Sequence, residues 1–224
     1  MSEDVIVYVV DDDEAIRRSV RRLLEQVELP VETFASPLDF LNAHDPDRVG
    51  CLVLDVRMPG MSGIDLQKRM IEDETGLPVI IVTGHGDIQM AVDSMRRGAI
   101  DFLEKPYRAQ ALLDSIHRAL ALDRVRHEER RIARELSNRF SRLTAREREV
   151  VAMVVKGLTN REIASRVGVS PQAIDARRAR AMGKLGVATV PELVEFVLRY
   201  ECDRQGHTLP PLGQILERGL AEAH

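Results

Sequence analysis

Short apolar runs separated by helical stretches constrain the first half of this chain more than any other feature. The runs span residues 5–10, 31–35, 51–54, 78–82 and 100–103. Between them, apolar residues recur at helical spacing over 16–27, 37–44, 63–72, 87–97 and from 108 onward. This alternation is typical of a parallel sheet covered by helices on both faces, with right-handed crossovers. It predicts a five-stranded α/β domain that binds ligands at the carboxyl ends of its strands.

Acidic, hydroxyl and basic residues stand at the ends of four of these strands. They are Asp11, Asp12 and Asp13 after the first strand, Asp55 after the third, Thr83 after the fourth and Lys105 after the fifth. Each alone has an ordinary explanation as a turn, a helix cap or a solvated lysine. Together they are expected at one edge of the sheet, where clustered carboxylates need a counter-ion. Because the site offers oxygen ligands, the sequence predicts Mg2+.

The second half shows only helical patterns from Leu143. Its signals are two capping boxes, a glycine stop, an N-cap followed by proline, and a proline start: Thr144 with Glu147, Thr159 with Glu162, Gly168, Ser170 with Pro171, and Pro191. These signals predict four short helices over 143–200. Residues 201–224 lie beyond them, and their apolar spacing after two prolines predicts a short amphipathic helix that packs as an appendage.

The segment 121–142 is expected to be a helical linker, because no glycine or proline interrupts the pattern that begins at residue 108. Val125, Ile132, Leu136 and Phe140 fit either a helix-pairing seam or a solvated connecting helix. Both interpretations stay open at this point.

Charge is distributed unevenly along the chain. Residues 1–120 carry a net −9 and 201–224 a net −2, whereas 121–142 and 143–200 carry +3 and +4. A basic middle suits an anionic partner such as nucleic acid, although such segregation often reflects two differently solvated surfaces.

The first apolar run is too short for a secretion signal, and Cys51 and Cys202 lack disulfide or zinc spacing. We therefore expect a cytoplasmic protein without membrane contact.

Four segments resemble the receiver-domain signatures of response regulators, in particular the FixJ branch. They read Val-Val-Asp-Asp-Asp-Glu at 9–14, Leu-Asp-Val-Arg-Met-Pro-Gly-Met-Ser-Gly at 54–63, Val-Thr-Gly-His-Gly at 82–86 and Asp-Phe-Leu-Glu-Lys-Pro at 101–106. The resemblance implies a flavodoxin-like (βα)5 receiver domain over 1–120. It also implies that Asp55 is the phosphoacceptor, with Mg2+ held by Asp12, Asp55 and the backbone carbonyl of Arg57, and by Asp11 through water.

The same resemblance implies roles for three further residues. Lys105 would stabilise charge on the phosphoryl oxygens, and Thr83 would move to the new phosphoryl group. Phe102 would turn inward with it, although a strand phenylalanine is more commonly a plain core residue. A cis peptide bond between Lys105 and Pro106 is expected as well.

Residues 143–198 resemble the LuxR-type four-helix DNA-binding domain, in which a helix-turn-helix carries the reading element. The matching segments are Leu-Thr-Ala-Arg-Glu-Arg-Glu-Val, Gly-Leu-Thr-Asn-Arg-Glu-Ile-Ala and Val-Ser-Pro-Gln-Ala-Ile. Within the helix over 171–185, Ile174, Ala181, Met182 and Leu185 are expected to form the buried stripe. The expected DNA contacts are Asn160, Ser170, Gln172, Asp175, Ala176, Arg177, Arg178, Arg180 and Lys184, the basic ones on phosphates. Arg177 stands where the motif usually has histidine. The fourth helix resembles the one through which such domains pair.

These features predict a phosphorylation-switched transcription regulator rather than an enzyme. A sensor histidine kinase would phosphorylate Asp55, the face over 87–103 would pair two receivers, and the homodimer would bind promoter DNA and RNA polymerase. One alternative is a phosphate sink or protein-docking module that no longer reads DNA, suggested by Asp175 and the missing histidine. Another is a constitutive regulator indifferent to phosphate.

Overall fold

The computed structural model describes residues 5–73, 75–84 and 88–204, and the chain divides into two compact units after Glu129. The first unit contains a five-stranded sheet. Its strands are β1 (Ile6–Val10), β2 (Val31–Phe34), β3 (Gly50–Asp55), β4 (Val79–Thr83) and β5 (Asp101–Glu104). All neighbours pair in parallel in the order β2-β1-β3-β4-β5. The predicted α/β receiver fold is confirmed.

Helices cover both faces of this sheet. They are α1 (Glu14–Gln26), α2 (Pro37–Ala43), α3 (Gly63–Glu72), α4 (Ile88–Arg96) and α5 (Ala109–Ser141). The side chains of β1 alternate between two cores, because successive residues of a strand point to opposite faces. Val7 and Val9 join the core under α1 and α5, whereas Tyr8 and Val10 join the core under α2 and α3.

Polar caps fix where the helices next to the carboxyl edge begin. Asp13 caps α1 by accepting a hydrogen bond from the backbone N–H of Ala15 at 2.7 Å. Ser62 caps α3 by accepting from the N–H of Asp65 at 3.1 Å. Such caps satisfy backbone donors that have no partner inside the helix. They fix the starts of α1 and α3, the helices that follow β1 and β3 in the chain.

Helix α5 continues through the segment expected to be a linker. Beyond residue 120, the buried carboxylate of Asp123 accepts the N–H of Gly50 at 2.8 Å, and His127 contacts the carbonyl of Asp47 at 2.7 Å. The first turns of that segment therefore pack on the sheet unit. No helix in the described ranges is both long and apolar enough to cross a membrane.

The second unit is helical throughout its described part. It contains the end of α5, α6 (Ala145–Val155), α7 (Asn160–Val167), α8 (Pro171–Leu185) and α9 (Val190–Arg204). Both predicted capping boxes are present, Gly168 ends α7 at a positive φ of 71°, and Ser170 caps α8. Positive φ favours glycine because other residues clash there. The four-helix prediction is confirmed, with α9 beginning one residue before Pro191.

The apolar residues of the linker segment have two different environments. The side chains of Val125 and Ile132 are 59% and 37% exposed. In contrast, Leu136 and Phe140 pack against the core of the second unit, where Phe140 stacks on Tyr200 with ring centroids 4.1 Å apart. Residues 85 and 86 of the third signature, residue 87 at the predicted start of the fourth helix, and the predicted helix after Pro211 lie outside the described residues.

Candidate functional site

The carboxyl edge of the sheet brings two acids and one lysine together. Asp11 directly follows β1, Asp55 ends β3 and Lys105 directly follows β5. The Nζ of Lys105 lies 2.6 Å from Oδ2 of Asp11 and 2.8 Å from Oδ1 of Asp55. The two acidic side chains are only 5% and 7% exposed, and the lysine is 19% exposed. One ammonium therefore faces two buried carboxylates, which leaves the cluster with a formal charge of −1.

Backbone donors fix the remaining oxygens of both carboxylates. The N–H of Asp13 donates to Oδ1 of Asp11 at 2.9 Å, and the N–H of Arg57 donates to Oδ2 of Asp55 at 2.7 Å. These hydrogen bonds hold the two acids in position before any ligand arrives. The cluster is thus pre-organised by the turns that follow β1 and β3.

Burial and the hydrogen bonds within the cluster act in opposite directions on the pKa values of Asp11 and Lys105. Burial raises the pKa of Asp11 above its usual value, and the hydrogen bond from Lys105 opposes that shift without cancelling it. Burial alone would lower the pKa of Lys105, but its hydrogen bonds to Asp11 and Asp55 outweigh burial and raise it. Lys105 is therefore held in its charged form, whereas Asp11 is easier to protonate than an exposed aspartate.

Thr83 and Phe102 lie on the two strands next to this cluster. Thr83 ends β4, is fully buried, and accepts the N–H of Lys105 through its backbone carbonyl at 2.8 Å. Phe102, on β5, is half-buried and packs against the core under α2 and α3. The Lys105–Pro106 peptide bond is cis, as expected.

The acids near this edge are not equivalent. Asp11 is buried against Lys105, whereas the side chains of Asp12 and Arg57 are exposed. No group of three or more His, Cys, Asp or Glu residues in the described ranges is arranged to hold a metal. The donor set still fits Mg2+, which binds through one or two carboxylates and keeps several water ligands. Asp11 and Asp55 are the two buried carboxylates that this edge of the sheet offers.

Gly63 is a residue of this site that the sequence analysis did not single out. A Cβ at this position would lie 2.1 Å from the backbone oxygen of Asp55, and the N–H of Gly63 donates to the carbonyl of Val56 at 3.0 Å. Only a glycine lets α3 approach the end of β3 this closely. The sequence feature that could have indicated it is the position of Gly63 directly after Ser62, the N-cap of α3.

The second unit presents α8 as a partly polar surface. The predicted buried stripe is confirmed, since Ile174, Ala181, Met182 and Leu185 lie in the core. The other face carries the remaining predicted contacts of this helix: Gln172, Asp175, Ala176 and Arg180 are exposed, and Arg177, Arg178 and Lys184 are half-buried. Ser170, just before the helix, is exposed and Asn160, at the start of α7, is half-buried.

A polar network connects α7 to this exposed face. The side-chain amide of Asn160 donates from Nδ2 to Oδ1 of Asp175 at 2.9 Å. Arg178 in turn donates from Nη1 to Oδ1 of Asn160 at 3.4 Å. The acid on α8 is thus balanced by Arg178 through the bridging amide. The sequence indicated Asn160 only as an expected DNA contact and carried no signal that it pairs with Asp175.

Lys184 is engaged inside the domain. Its Nζ donates to Oε2 of Glu147 at 2.6 Å, and the backbone N–H and hydroxyl of Thr144 donate to the same oxygen at 2.8 and 2.9 Å. The hydrogen bond from Lys184 is the main reason that the pKa of Glu147 is lowered to about 2. The capping box marked Glu147 in the sequence, but no sequence signal indicated its lysine partner.

The apolar residues of α9 mostly serve the core of their own unit. Leu193, Phe196 and Val197 are buried there and Val194 is half-buried. These apolar residues therefore pack inside their own unit, and the resemblance of α9 to a pairing helix stays a prediction. A four-helix unit of this size needs them to close its core.

Comparisons with known proteins agree with this two-part arrangement. Residues 7–117 match the family described as the response regulator receiver domain, and residues 141–197 match bacterial regulatory proteins of the luxR family. The transcriptional regulatory protein TdiR of Thauera aromatica is 40% identical over 204 residues, which cover 89% of this chain and 90% of that protein. The transcriptional regulatory protein FixJ of Azorhizobium caulinodans is 40% identical over 198 residues, covering 88% and 94%.

Among solved structures, the response regulator StyR is similar to this chain. Its low-resolution structure gives a TM-score of 0.82 at 42% identity, covering 88% of this chain and 99% of that one.

Proposed function

The chain belongs to the FixJ/NarL-type response regulators of two-component systems, with a receiver domain followed by a LuxR-type DNA-binding domain, and we propose that it is switched by phosphorylation of Asp55. It is a regulator of transcription rather than a classical enzyme. The observation that carries the proposal is the contact of Lys105 with both Asp11 and Asp55.

The geometry supports Asp55 as the nucleophile. An oxygen of its carboxylate attacks the phosphorus of a phosphohistidine on a sensor kinase, the new O–P bond forms as the N–P bond breaks, and the imidazole leaves with a proton. Lys105 supplies a fixed positive charge next to the attacking group. The N–H of Arg57, 2.7 Å from Oδ2, keeps the carboxylate oriented.

Mg2+ is the cofactor that this donor set favours. As the family resemblance implies, Asp12, Asp55 and the backbone carbonyl of Arg57 would hold it, and Asp11 would reach it through water. When bound, the ion would supply charge neutralisation for the incoming phosphoryl oxygens. The burial of both carboxylates around a single ammonium supports this proposal, because a second cation would balance the charge that Lys105 leaves uncompensated.

Thr83 and Phe102 are proposed to report the modification. The hydroxyl of Thr83 stands at the end of the strand between Asp55 and Lys105, which suits it to donate to a phosphoryl oxygen on Asp55. Phe102 is half-buried and packs on the core below α3, so a turn inward would bury more of its ring. These changes would bias the face over 87–103 toward pairing with a second receiver.

The output step is proposed to be promoter binding by α8. A receiver homodimer would place two copies of this helix on neighbouring half-sites, which multiplies weak contacts into stable occupancy. Arg177 and Arg180 would hold phosphates, and Gln172, Asp175 and Ala176 would face base edges. We further propose that the bound dimer contacts RNA polymerase, and that the protein acts in the cytoplasm.

Phosphotransfer labelling of the purified full-length chain tests the proposal. Wild-type protein given a phosphohistidine donor and Mg2+ should acquire an acid-stable, alkali-labile label, shift to a dimer in sizing chromatography and bind DNA more tightly. Asp55→Asn should show none of these responses. Exposed Asp114 on α5 offers a matched control, since Asp114→Asn should label normally. Labelling of Asp55→Asn, or dimerisation that ignores the donor, would refute the assignment.

A further inference from the structure

We propose that Asp175 determines DNA sequence specificity by accepting a hydrogen bond from the exocyclic amino group of a cytosine in the major groove. This inference rests on the proposed function, because it assumes that α8 enters DNA. It names one residue and one base, neither of which follows from membership of the family.

The structure holds Asp175 in a fixed direction on an exposed surface. Asn160 donates from Nδ2 to Oδ1 of Asp175 at 2.9 Å, and Arg178 donates to Oδ1 of Asn160 at 3.4 Å. The arginine fixes the orientation of the amide, because it requires the amide oxygen on its own side. Among the described residues, Asn160 is the only one that donates a hydrogen bond to this carboxylate. Oδ2 is therefore left as a directed acceptor.

Electrostatics determine what such an acceptor can face. A carboxylate close to DNA phosphates is repelled, so it lowers affinity unless a donor on the DNA compensates it. Ionised Asp accepts hydrogen bonds and donates none. Only cytosine N4 and adenine N6 offer donors in the major groove, and adenine N7 beside N6 is an acceptor that repels the acid. Cytosine is therefore the base that best matches Oδ2.

The surrounding basic residues strengthen this assignment. Lys184 is held by Glu147 at 2.6 Å, and Arg178 is directed toward Asn160, so two of the four basic side chains of α8 are drawn to partners inside the domain. Asp175 lies one turn after Pro171, in the part of a reading helix whose side chains contact base edges. An acid held there by Asn160 discriminates among bases and does not add sequence-independent affinity for DNA.

Selection from a random DNA library tests the inference. Phosphodonor-treated full-length protein is used to enrich binding sites, which are sequenced for wild type and variants. Wild type should select cytosine at one position of each half-site by roughly 5- to 150-fold. Asp175→Ala should lose the preference at that position alone, while Asp175→Asn should move it toward adenine, because asparagine pairs with adenine N6 and N7. Asn160→Ala should weaken the cytosine preference, because it removes the hydrogen bond that fixes the direction of the Asp175 carboxylate.

The outcomes separate the inference from the function beneath it. Exposed Glu149 on α6 provides the control, and Glu149→Ala should select the wild-type motif. If wild type enriches a motif that Asp175→Ala leaves unchanged at every position, the inference is wrong and DNA reading stands. If wild type enriches no motif at all, the proposed output function itself fails. An adenine preference in wild type that Asp175→Ala removes would overturn the choice of base.

Discussion

Replacement of Lys105 with methionine tests whether the sheet-edge cluster is an acid pair that depends on a cation. Removal of the ammonium forfeits two charge-assisted hydrogen bonds, each worth about 1.5–3 kcal/mol. It also leaves Asp11 and Asp55, 5% and 7% exposed, without a positive partner. Recovery of the burial cost of the lysine offsets part of this loss. We therefore expect the free energy of unfolding to fall by about 2–4 kcal/mol at neutral pH in EDTA.

The pH dependence of that loss has a definite sign. A carboxyl whose folded pKa is raised contributes stability below its unfolded pKa and loses it as the pH rises through the folded pKa. Burial already raises the pKa of Asp11, and removal of Lys105 takes away the main opposing contact. The deficit of Lys105→Met should therefore shrink when the pH is lowered from about 7.5 to about 5. Mg2+ at about 10 mM should stabilise this variant more than wild type.

Urea denaturation followed by circular dichroism, at both pH values and with EDTA or Mg2+, measures these effects. Hydrogen exchange of peptides from β3 assigns the loss to the receiver unit. Lys68 is the matched control, because it is 52% exposed and lies 3.7 Å from Asp65, so Lys68→Met should cost less than about 0.5 kcal/mol. A Lys105→Met loss no larger than this control, or one independent of pH, would refute the reasoning.

Three further substitutions test other parts of the molecule. Gly63→Ala should cost more than about 2 kcal/mol in urea unfolding and slow phosphotransfer labelling, because its Cβ would meet the backbone oxygen of Asp55; normal labelling would contradict this. Glu147→Gln should cost about 1–3 kcal/mol at neutral pH. Since the pKa of Glu147 is lowered to about 2, mainly by Lys184, the wild-type advantage should vanish as the pH falls from about 4.5 toward 2. Gly183→Ala should raise the free energy of unfolding by about 0.5–1 kcal/mol, because this helical glycine has open space around it; a lower melting temperature would count against it.

The strand ends of the receiver could be predicted because parallel strands convert sequence order into spatial proximity. Each apolar run fixed where a strand stops, and the next residue then had to lie at a common edge. Asp55 and Lys105 are 50 residues apart in the chain and meet at 2.8 Å for this reason. The helix starts of the second unit followed from local capping chemistry, which needs no tertiary information.

Side-chain direction within a turn could not be predicted in the same way. The run of three aspartates did not reveal that Asp11 is buried while Asp12 is exposed. The N–H of Asp11 still bonds to the carbonyl of Phe34 at 3.3 Å, so it continues the strand, and the next residue then points to the other side. The pairing of Lys184 with Glu147 could not be predicted either, because the two residues lie on different helices, 37 residues apart in the chain.

The contact of Lys184 with Glu147 and the contact of Lys105 with Asp11 and Asp55 differ in how fully the charges are balanced. Glu147 meets Lys184 one to one, and two donors from Thr144 complete the carboxylate, so the group needs nothing more and its pKa is lowered. Lys105 instead serves two buried acids, and Asp11 keeps a raised pKa in spite of it. A pocket that leaves one negative charge uncompensated costs stability in the resting protein. That cost is what a bound divalent cation would relieve, and it makes the receiver cluster, rather than the better-paired one, the place where chemistry is expected.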